Sequence, residues 1–256
     1  MKQVFFVGYN DIELVGEIYS PDFAKKLPAI ILSHEFGLSM ISTVRYAKQL
    51  YKAGYHVFIF DFAGSGAGKS RGRASTQMSI FTEKEDLNAV FEYVKTRAFV
   101  DPCHIILGGA SQGGLVTALF AAEHKDEVEK MFLYYPAFCI PDDARRGCII
   151  GTTVDTKNIP QDFRAMGYVH LGPKYVKDAE KLSPWKEIET YDKPVLLCHG
   201  TKDSIVNIEY TRQAFARYPN ASLKEISNAN HCFVMPWTVR KAVNETIEFL
   251  QKSENH

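Results

Sequence analysis

Residues 105–120, IILGGASQGGLVTALF, contain the pattern that is most informative about the fold. It reads as a buried strand, Ile105 to Leu107, followed by a glycine-rich turn and the start of an apolar helix. The segment 109–113 matches the pattern G-x-S-x-G, in which a serine stands on a sharp turn between strand and helix. The helix N-terminus favours negative charge that develops beside the hydroxyl. We therefore predict that Ser111 is a nucleophile, although a glycine-rich turn with an ordinary N-cap serine would have the same letters.

A nucleophilic serine needs a base and an acid, which follow it in this arrangement in the order serine, acid, histidine. Asp203 comes after the predicted strand Val195 to Cys198, and His231 follows the alternating run Ser222 to Ile226. Asp203 would orient His231, and His231 would take the proton of Ser111. Taken singly, Asp203 would be interpreted as a solvated turn carboxylate. His231 would be interpreted as a residue at a helix N-terminus. Three residues in the expected order, each after a predicted strand, favour a catalytic triad.

An acyl-transfer site also needs two backbone N–H groups that bind the developing oxyanion. One comes from the residue after the nucleophile, here Gln112, and the other from a loop after an early strand. Phe36, in the segment SHEFG at residues 33–37, is the candidate for the second donor. A simple strand-end turn would have the same sequence, so this remains a prediction about backbone geometry.

Short apolar runs alternate with helix-length amphipathic stretches along most of the chain. This rhythm is typical of β-α-β units and of a mostly parallel central sheet flanked by helices. The residues TEKE at 82–85 indicate a capping box that opens a helix running to about Arg97. The other predicted strands are Val4 to Tyr9, Glu13 to Tyr19, Ala29 to Ser33, His56 to Phe60 and Met131 to Tyr135.

The alternation of apolar runs and amphipathic stretches stops between Pro136 and about Thr190. Beyond Pro136 this stretch holds four more prolines and no clear strand, and it lies between two predicted buried strands. Such a segment is more simply an insertion over the sheet than a domain of its own. We predict a single α/β domain over residues 1–256, with an inserted lid subdomain at residues 137–190 over the carboxyl ends of the strands.

The composition is that of a globular protein, with 46% hydrophobic and 23% charged residues. Thirty basic side chains balance thirty acidic ones, so nothing in the net charge attracts nucleic acid or an anionic membrane. No apolar run approaches the roughly 20 residues of a membrane span, and no secretory h-region is evident. Five scattered cysteines favour reduced thiols. We expect a soluble cytoplasmic protein without a membrane or nucleic-acid partner.

Residues 63–70, AGSGAGKS, fit a relaxed phosphate-loop pattern in which alanine replaces the first glycine. In a phosphate loop, a helix follows at once and its N-terminus meets the anion. The residues RGRASTQ at 71–77 are a poor helix start, so we interpret the loop as a turn after a strand and keep nucleotide binding as a minor alternative. The histidines show no spacing typical of zinc sites, and we predict neither a metal nor a cofactor.

Together these residues resemble the α/β-hydrolase fold, and more closely its cinnamoyl (feruloyl) esterase family. The resemblance covers nearly the whole chain. It lies in SQGG at 111–114, DF at 61–62 with Gly64 and Gly66, KPV at 193–195, HGT at 199–201 with Asp203, and HCF at 231–233. Within the insertion, Pro136-Ala137, Ile140, Ala144-Arg145 and Asn158-Ile159-Pro160 look like the lid of these enzymes, which forms a pocket above the nucleophile.

The resemblance implies that a lid aspartate and a lid tyrosine bind the phenolic hydroxyl of a cinnamate ring. The matching positions are Asp143 and Tyr175, for which a helix N-terminal acid and a packing aromatic are the plain alternatives. A third polar lid position is replaced by Ile150, which argues against close recognition of the ring hydroxyls. Glu35 replaces a family glycine and is similar to a glutamate of dienelactone hydrolases. Because the nucleophile here is serine, we expect Glu35 to point away from the site or to bond its own loop.

The prediction is therefore a serine carboxylic-ester hydrolase that acts through an acyl-enzyme, without a cofactor, on small hydroxycinnamate esters. A short-chain acyl esterase, a monoglyceride lipase or a lysophospholipase stays open, because an apolar pocket suits each of them. A non-catalytic ligand-binding protein on the same scaffold is the alternative from another class. The sequence also leaves open a homodimer through the exposed face of the lid.

Overall fold

The computed structural model describes residues 1–252. Its strands are β1 (Lys2–Tyr9), β2 (Ile12–Tyr19), β3 (Leu27–Ser33), β4 (His56–Phe60), β5 (Val100–Ala110), β6 (Lys130–Tyr134), β7 (Cys148–Ile149), β8 (Thr152–Thr153), β9 (Phe163–Ala165), β10 (Val169–Leu171), β11 (Val195–Gly200) and β12 (Ala221–Ile226). Its α-helices are α1 (Val44–Leu50), α2 (Ile80–Lys95), α3 (Gln112–Glu123), α4 (Ile140–Arg145), α5 (Pro173–Lys181), α6 (Pro184–Ile188), α7 (Ile208–Arg217) and α8 (Pro236–Gln251).

Eight strands form one sheet in the order β1-β2-β4-β3-β5-β6-β11-β12. β1 and β2 form an antiparallel hairpin that joins β4 antiparallel. From β4 to β12 every neighbouring pair is parallel. The predicted mostly parallel sheet is therefore confirmed, and the carboxyl ends of β3, β5, β11 and β12 meet at one edge.

Both faces of the sheet are covered, which explains why its central strands are apolar without alternation. Neighbouring residues of β3 face opposite layers: Ile31 packs with α2 and α3, and Ile30 packs with α1 and α8. β6 ends at Tyr134, one residue earlier than predicted. Tyr135 has a φ of 38°, which no strand residue adopts, so the chain turns away there.

The predicted capping box at residues 82–85 is wrong, because α2 begins at Ile80, three residues before the start that an N-cap at Thr82 predicts. Its N-cap is Ser79, whose hydroxyl accepts a hydrogen bond from the Thr82 N–H, while the Thr82 hydroxyl accepts one from the Ser79 N–H at 2.8 Å. Threonine here does what glutamate or glutamine does in the usual box. The buried Glu83 therefore lies within the first turns of the helix, a position that matters below.

The inserted segment is not free of strands, contrary to the prediction. Two antiparallel hairpins, β7-β8 and β9-β10, lie between the helices α4 and α5. Each strand has only two or three residues, too few to produce a visible period in the sequence. Their turns use positive φ angles at Ile150, Gly151, Met166 and Gly167. Among the helices within residues 1–252, none combines the length and the apolar character that a membrane span requires.

Candidate active site

Ser111 stands on the turn between β5 and α3 with φ 53° and ψ −120°. These angles lie outside the regions that side-chain-bearing residues ordinarily occupy, as a nucleophile elbow requires. The surrounding backbone makes the turn possible only with glycines. A Cβ on Gly109 would lie 2.4 Å from the carbonyl oxygen of Gly113, and one on Gly113 would lie 2.3 Å from that of His34. The spacing of small residues in the sequence therefore has a steric cause.

The structure brings the three predicted residues into one hydrogen-bonded line. The Ser111 Oγ lies 3.1 Å from Nε2 of His231, and the Nδ1 of His231 lies 2.7 Å from Oδ2 of Asp203. A carboxylate only accepts, so Nδ1 carries the hydrogen and Nε2 is free to accept from the serine hydroxyl. This arrangement can move a proton from the hydroxyl to the imidazole while the carboxylate stabilises the resulting cation.

The Asp203 carboxylate has further donors around it. Its Oδ1 accepts hydrogen bonds from the backbone N–H groups of Ile205 and Val206, each at 2.9 Å. Nε2 of the fully buried His199 lies 3.1 Å from Oδ2. Burial raises the pKa of Asp203, but the hydrogen bonds from His199 and His231 outweigh it and hold the pKa far below its ordinary value. The Asp203 carboxylate is therefore ionised at neutral pH, as its predicted role requires.

The sequence analysis used His199 only as part of the HGT motif at residues 199–201 and so missed this contact. The available signal was the spacing HGTKD at residues 199–203, since a strand end and the following turn can bring positions i and i+4 together. Only the tertiary structure shows that Nδ1 of His199 faces the Thr211 hydroxyl at 2.7 Å. That contact leaves Nε2, the nitrogen that carries the hydrogen, facing both the Val206 carbonyl and Asp203.

The backbone N–H groups of Phe36 and Gln112 lie on the two chain segments that meet beside Ser111. A Cβ on Gly113 would also lie 2.6 Å from the carbonyl oxygen of Ser33, so the end of β3 is pressed against the first turn of α3. Within residues 1–252, neither N–H has a hydrogen-bond acceptor in the protein. Both are thus available to an oxygen above the serine, as the prediction of an oxyanion site requires.

A cavity of about 650 Å³ opens above Ser111 and His231. Its walls are mostly apolar and come from the loop after β3 that carries Phe36, the loop after β11, and the inserted segment. Asp143, predicted from the resemblance to contact substrate, lines this cavity, and so does Ile150. A cavity of this size accommodates a small aromatic or acyl ester.

Tyr175, the second residue predicted to contact substrate, is placed differently. It does not line the cavity, and only 1% of its surface is exposed. Its hydroxyl donates a 2.6 Å hydrogen bond to Oε1 of Gln112, whose Nε2 in turn donates to Glu83 at 2.8 Å. The tyrosine that does line the cavity is Tyr168, between β9 and β10, which sequence reasoning did not single out.

Glu35 lies in the same loop as Phe36, and contrary to the expectation it lines the cavity and bonds residues outside its own loop. Its carboxylate accepts hydrogen bonds from the hydroxyls of Tyr135 and Ser42, and a guanidinium nitrogen of Arg45 lies 3.7 Å away. The Tyr135 ring packs edge-on against the imidazole of His231, with centroids 4.7 Å apart. Glu35 thus fixes the Tyr135 ring against which His231 packs.

The glycine-rich loop at residues 63–70 contacts a carboxylate. The Lys69 N–H donates to Oδ2 of Asp61 at 2.7 Å, and the next α-helix begins only at Ile80. A phosphate loop would instead lead directly into a helix N-terminus. Over residues 1–252, no cluster of three or more His, Cys, Asp or Glu side chains is arranged to hold a metal ion.

Comparison with known proteins agrees with this geometry. The family model described as serine aminopeptidase, S33, matches residues 24–161, more than half of the chain. The structure of Est1E from Butyrivibrio proteoclasticus with bound ferulic acid superposes with a TM-score of 0.89 at 28% identity, covering 97% of this chain and 100% of that one. The quorum-quenching protein AidA of Acinetobacter baumannii is 20% identical over 95% of this chain and 92% of its own length.

Proposed function

The chain belongs to the serine aminopeptidase S33 family of α/β-hydrolases, and on that premise we propose that it hydrolyses carboxylic esters, with hydroxycinnamate esters as substrates. The observation that carries the proposal is the line from Ser111 through His231 to Asp203 at the floor of the cavity. The likeness to Est1E, whose structure holds ferulic acid, supports the choice of acyl group.

The proposed reaction has two steps. In the first, the Ser111 hydroxyl attacks the ester carbonyl while His231 takes its proton and passes it to the departing alkoxide, which leaves as the alcohol. In the second, water attacks the acyl-enzyme, His231 accepts a proton from it, and the proton returns to Ser111 as the carboxylic acid leaves. The N–H groups of Phe36 and Gln112 would stabilise the oxyanion in both steps.

The proposed position of the acyl group follows from the cavity walls. A hydroxylated aromatic ring has apolar faces and one polar group at its edge, and the cavity has mostly apolar walls with two acidic residues, Glu35 and Asp143. The Glu35 carboxylate is already bonded by the hydroxyls of Tyr135 and Ser42, which leaves the Asp143 carboxylate for a ring hydroxyl. This carboxylate pairs with Arg146, so its charge is balanced while the other oxygen can accept from a phenol. We therefore place the ring hydroxyl at Asp143 and treat residues 137–190 as the lid that encloses the ring.

The test compares initial rates on methyl ferulate, methyl caffeate and 4-nitrophenyl butyrate for the wild type and Ser111→Ala. We expect hydrolysis of both hydroxycinnamates, lost in the variant while its melting temperature is retained. Activity on the butyrate alone would keep the mechanism and reject the cinnamate assignment. A folded wild type that binds ferulic acid but hydrolyses none of the three would instead be a binding protein on a hydrolase scaffold.

A further inference from the structure

One tyrosine of the inserted segment contacts both residues whose backbone N–H groups form the proposed oxyanion site. The Tyr175 hydroxyl donates to the Gln112 side chain at 2.6 Å, and its ring packs edge-on against the Phe36 ring, with centroids 5.9 Å apart. We propose that Tyr175 is a positioning residue for the oxyanion site and not a substrate contact. This inference rests on the proposed esterase function.

Tyr175 restricts the position of the Gln112 side chain. Its side chain is buried, with Oε1 accepting from Tyr175 and Nε2 donating to Glu83, so both ends of the amide are held. Burial raises the pKa of Tyr175 well above its ordinary value, so the phenol keeps its hydrogen and stays a donor. In a buried chain of hydrogen bonds a lost partner leaves a polar group unsatisfied, so the side chain has one favoured position. The backbone N–H of the same residue is thereby oriented.

Tyr175 and its neighbours in the inserted segment also contact the loop that carries Phe36. Beyond the ring contact with Tyr175, the inserted segment presses on the next residue, Gly37. A Cβ there would lie 2.8 Å from Cγ2 of Val169 and 3.2 Å from the hydroxyl oxygen of Tyr168. Gly37 also has a φ of +66°, which a side chain would strain. The inserted segment thus packs against the oxyanion loop at two successive residues.

A positioning role for Tyr175 predicts a different kinetic effect from a substrate-binding role. Oxyanion donors act on charge that exists only in the transition state, so disturbing their position lowers kcat more than it raises KM. A phenol hydroxyl has one hydrogen to donate, and Tyr175, which does not line the cavity, donates it to the Gln112 side chain. The inserted segment therefore does two things: it walls the cavity and holds the transition-state site in shape.

The test uses Tyr175→Phe, which keeps the ring against Phe36 and removes only the hydrogen bond. We expect kcat to fall roughly tenfold, less than the ~10²–10³ that follows removal of an oxyanion donor itself, with KM within twofold. The affinity for a boronic acid that forms a tetrahedral adduct on Ser111 should fall by about the same factor as kcat. The affinity for ferulic acid should not change. Tyr191→Phe is the matched control, since that buried hydroxyl donates to the Val128 carbonyl at 3.2 Å away from the site.

A double-mutant cycle shows whether the effect passes through Gln112. Gln112→Ala keeps the backbone N–H and removes the acceptor, so adding Tyr175→Phe to it should cost nothing more. A rise in KM with unchanged kcat, or unchanged boronate affinity, would overturn the proposal. If the wild type hydrolyses no ester but binds the boronate, the esterase proposal fails while the affinity comparison still decides the role of Tyr175. If the wild type does not bind the boronate, both proposals fail.

Discussion

His199 and His231 both face the same oxygen of Asp203, at 3.1 Å and 2.7 Å. The first histidine is fully buried and far less accessible than the second, which meets the cavity. A carboxylate held between two imidazoles and two backbone N–H groups has little freedom to rotate. The orientation of His231, the proposed base, therefore depends on a residue that does not line the cavity.

Replacing His199 should weaken both the fold and the proposed reaction. In His199→Phe, the Thr211 hydroxyl and the Val206 carbonyl lose their buried partner, and we expect a loss of about 1–3 kcal/mol in the free energy of unfolding. We also expect kcat to fall about tenfold, because Asp203 would hold His231 less precisely in position. His199→Gln, which restores an N–H donor, should recover part of the activity. Equal activity of the phenylalanine variant and wild type would show that His231 and the two backbone N–H groups suffice to orient the Asp203 carboxylate.

The pH dependence of stability should change in the same variant. The folded-state pKa of Asp203 lies below its unfolded value of 3.8, so its stabilising contribution is present above pH 4 and lost as the pH falls further. Without the His199 hydrogen bond the pKa rises toward its ordinary value, so the contribution shrinks. Urea unfolding at pH 3 and pH 7 should show a smaller difference between these pH values for His199→Phe than for wild type.

Gly113→Ala should damage the site through sterics alone. The added Cβ would overlap the carbonyl oxygens of His34 and Ser33, so the oxyanion loop has to move or the turn has to open. We expect a loss of about 1–3 kcal/mol in stability and nearly complete loss of ester hydrolysis. Gly8→Ala is the matched control, because a Cβ there meets nothing within 4 Å. Thermal unfolding and initial rates measure both effects, and a fully active Gly113→Ala would contradict the close contact between the oxyanion loop and α3.

Glu83 should make the protein less stable as the pH rises. Burial raises its pKa to about 8, from 4.5 in the unfolded chain. Because the folded state holds the proton more tightly, the stabilisation is complete below pH 4.5 and is lost as the pH rises through about 8. Glu83→Gln removes the titration and keeps an acceptor for Gln112. Relative to wild type, its free energy of unfolding should increase on the order of 3 kcal/mol between pH 5 and pH 8.5.

Glu85→Gln serves as the control for this titration, since its side chain on the same helix is 63% exposed. Its stability should follow that of wild type across the whole pH range. Parallel curves for wild type and Glu83→Gln would mean that Glu83 is ionised in the fold at neutral pH.

Asp143→Ala tests the proposed contact with the ring hydroxyl. Loss of a hydrogen bond to a charged group is worth about 10- to 100-fold, so kcat/KM for methyl caffeate and methyl ferulate should fall by that factor. The value for methyl cinnamate, which has no ring hydroxyl, should change little. Asp142→Ala is the control, because its carboxylate pairs with Arg145 and Tyr210 and does not line the cavity. An equal loss on all three esters would place the ring elsewhere.

Much of the site was predictable from the sequence because its residues follow strand ends. In a parallel sheet the carboxyl ends of neighbouring strands lie together, so Ser111, Asp203 and His231 had to converge once their strands were recognised. The elbow was predictable for a steric reason, since only glycine fits at positions 109 and 113. The start of α2 was not, because its cap uses Thr82 where the usual pattern has an acid or amide.

The inserted segment shows what the sequence leaves undetermined. Its hairpins are too short to have a period, and which of its tyrosines meets the cavity depends on how the segment folds back on the sheet. Resemblance pointed to Tyr175, whereas the tertiary structure buries Tyr175 against Gln112 and Phe36 and exposes Tyr168 to the cavity.

The parallel sheet, the glycine-flanked turn at Ser111 and the chain order of the predicted nucleophile, acid and base could be read from the sequence, because these follow from local periodicity and from sterics within a few residues. Three relationships became visible only in the folded chain: His199 contacts Asp203, burial raises the pKa of Glu83, and Tyr175 contacts both Gln112 and Phe36. These relationships join residues far apart in the chain, and their energies come from burial and hydrogen-bond geometry that no single segment contains.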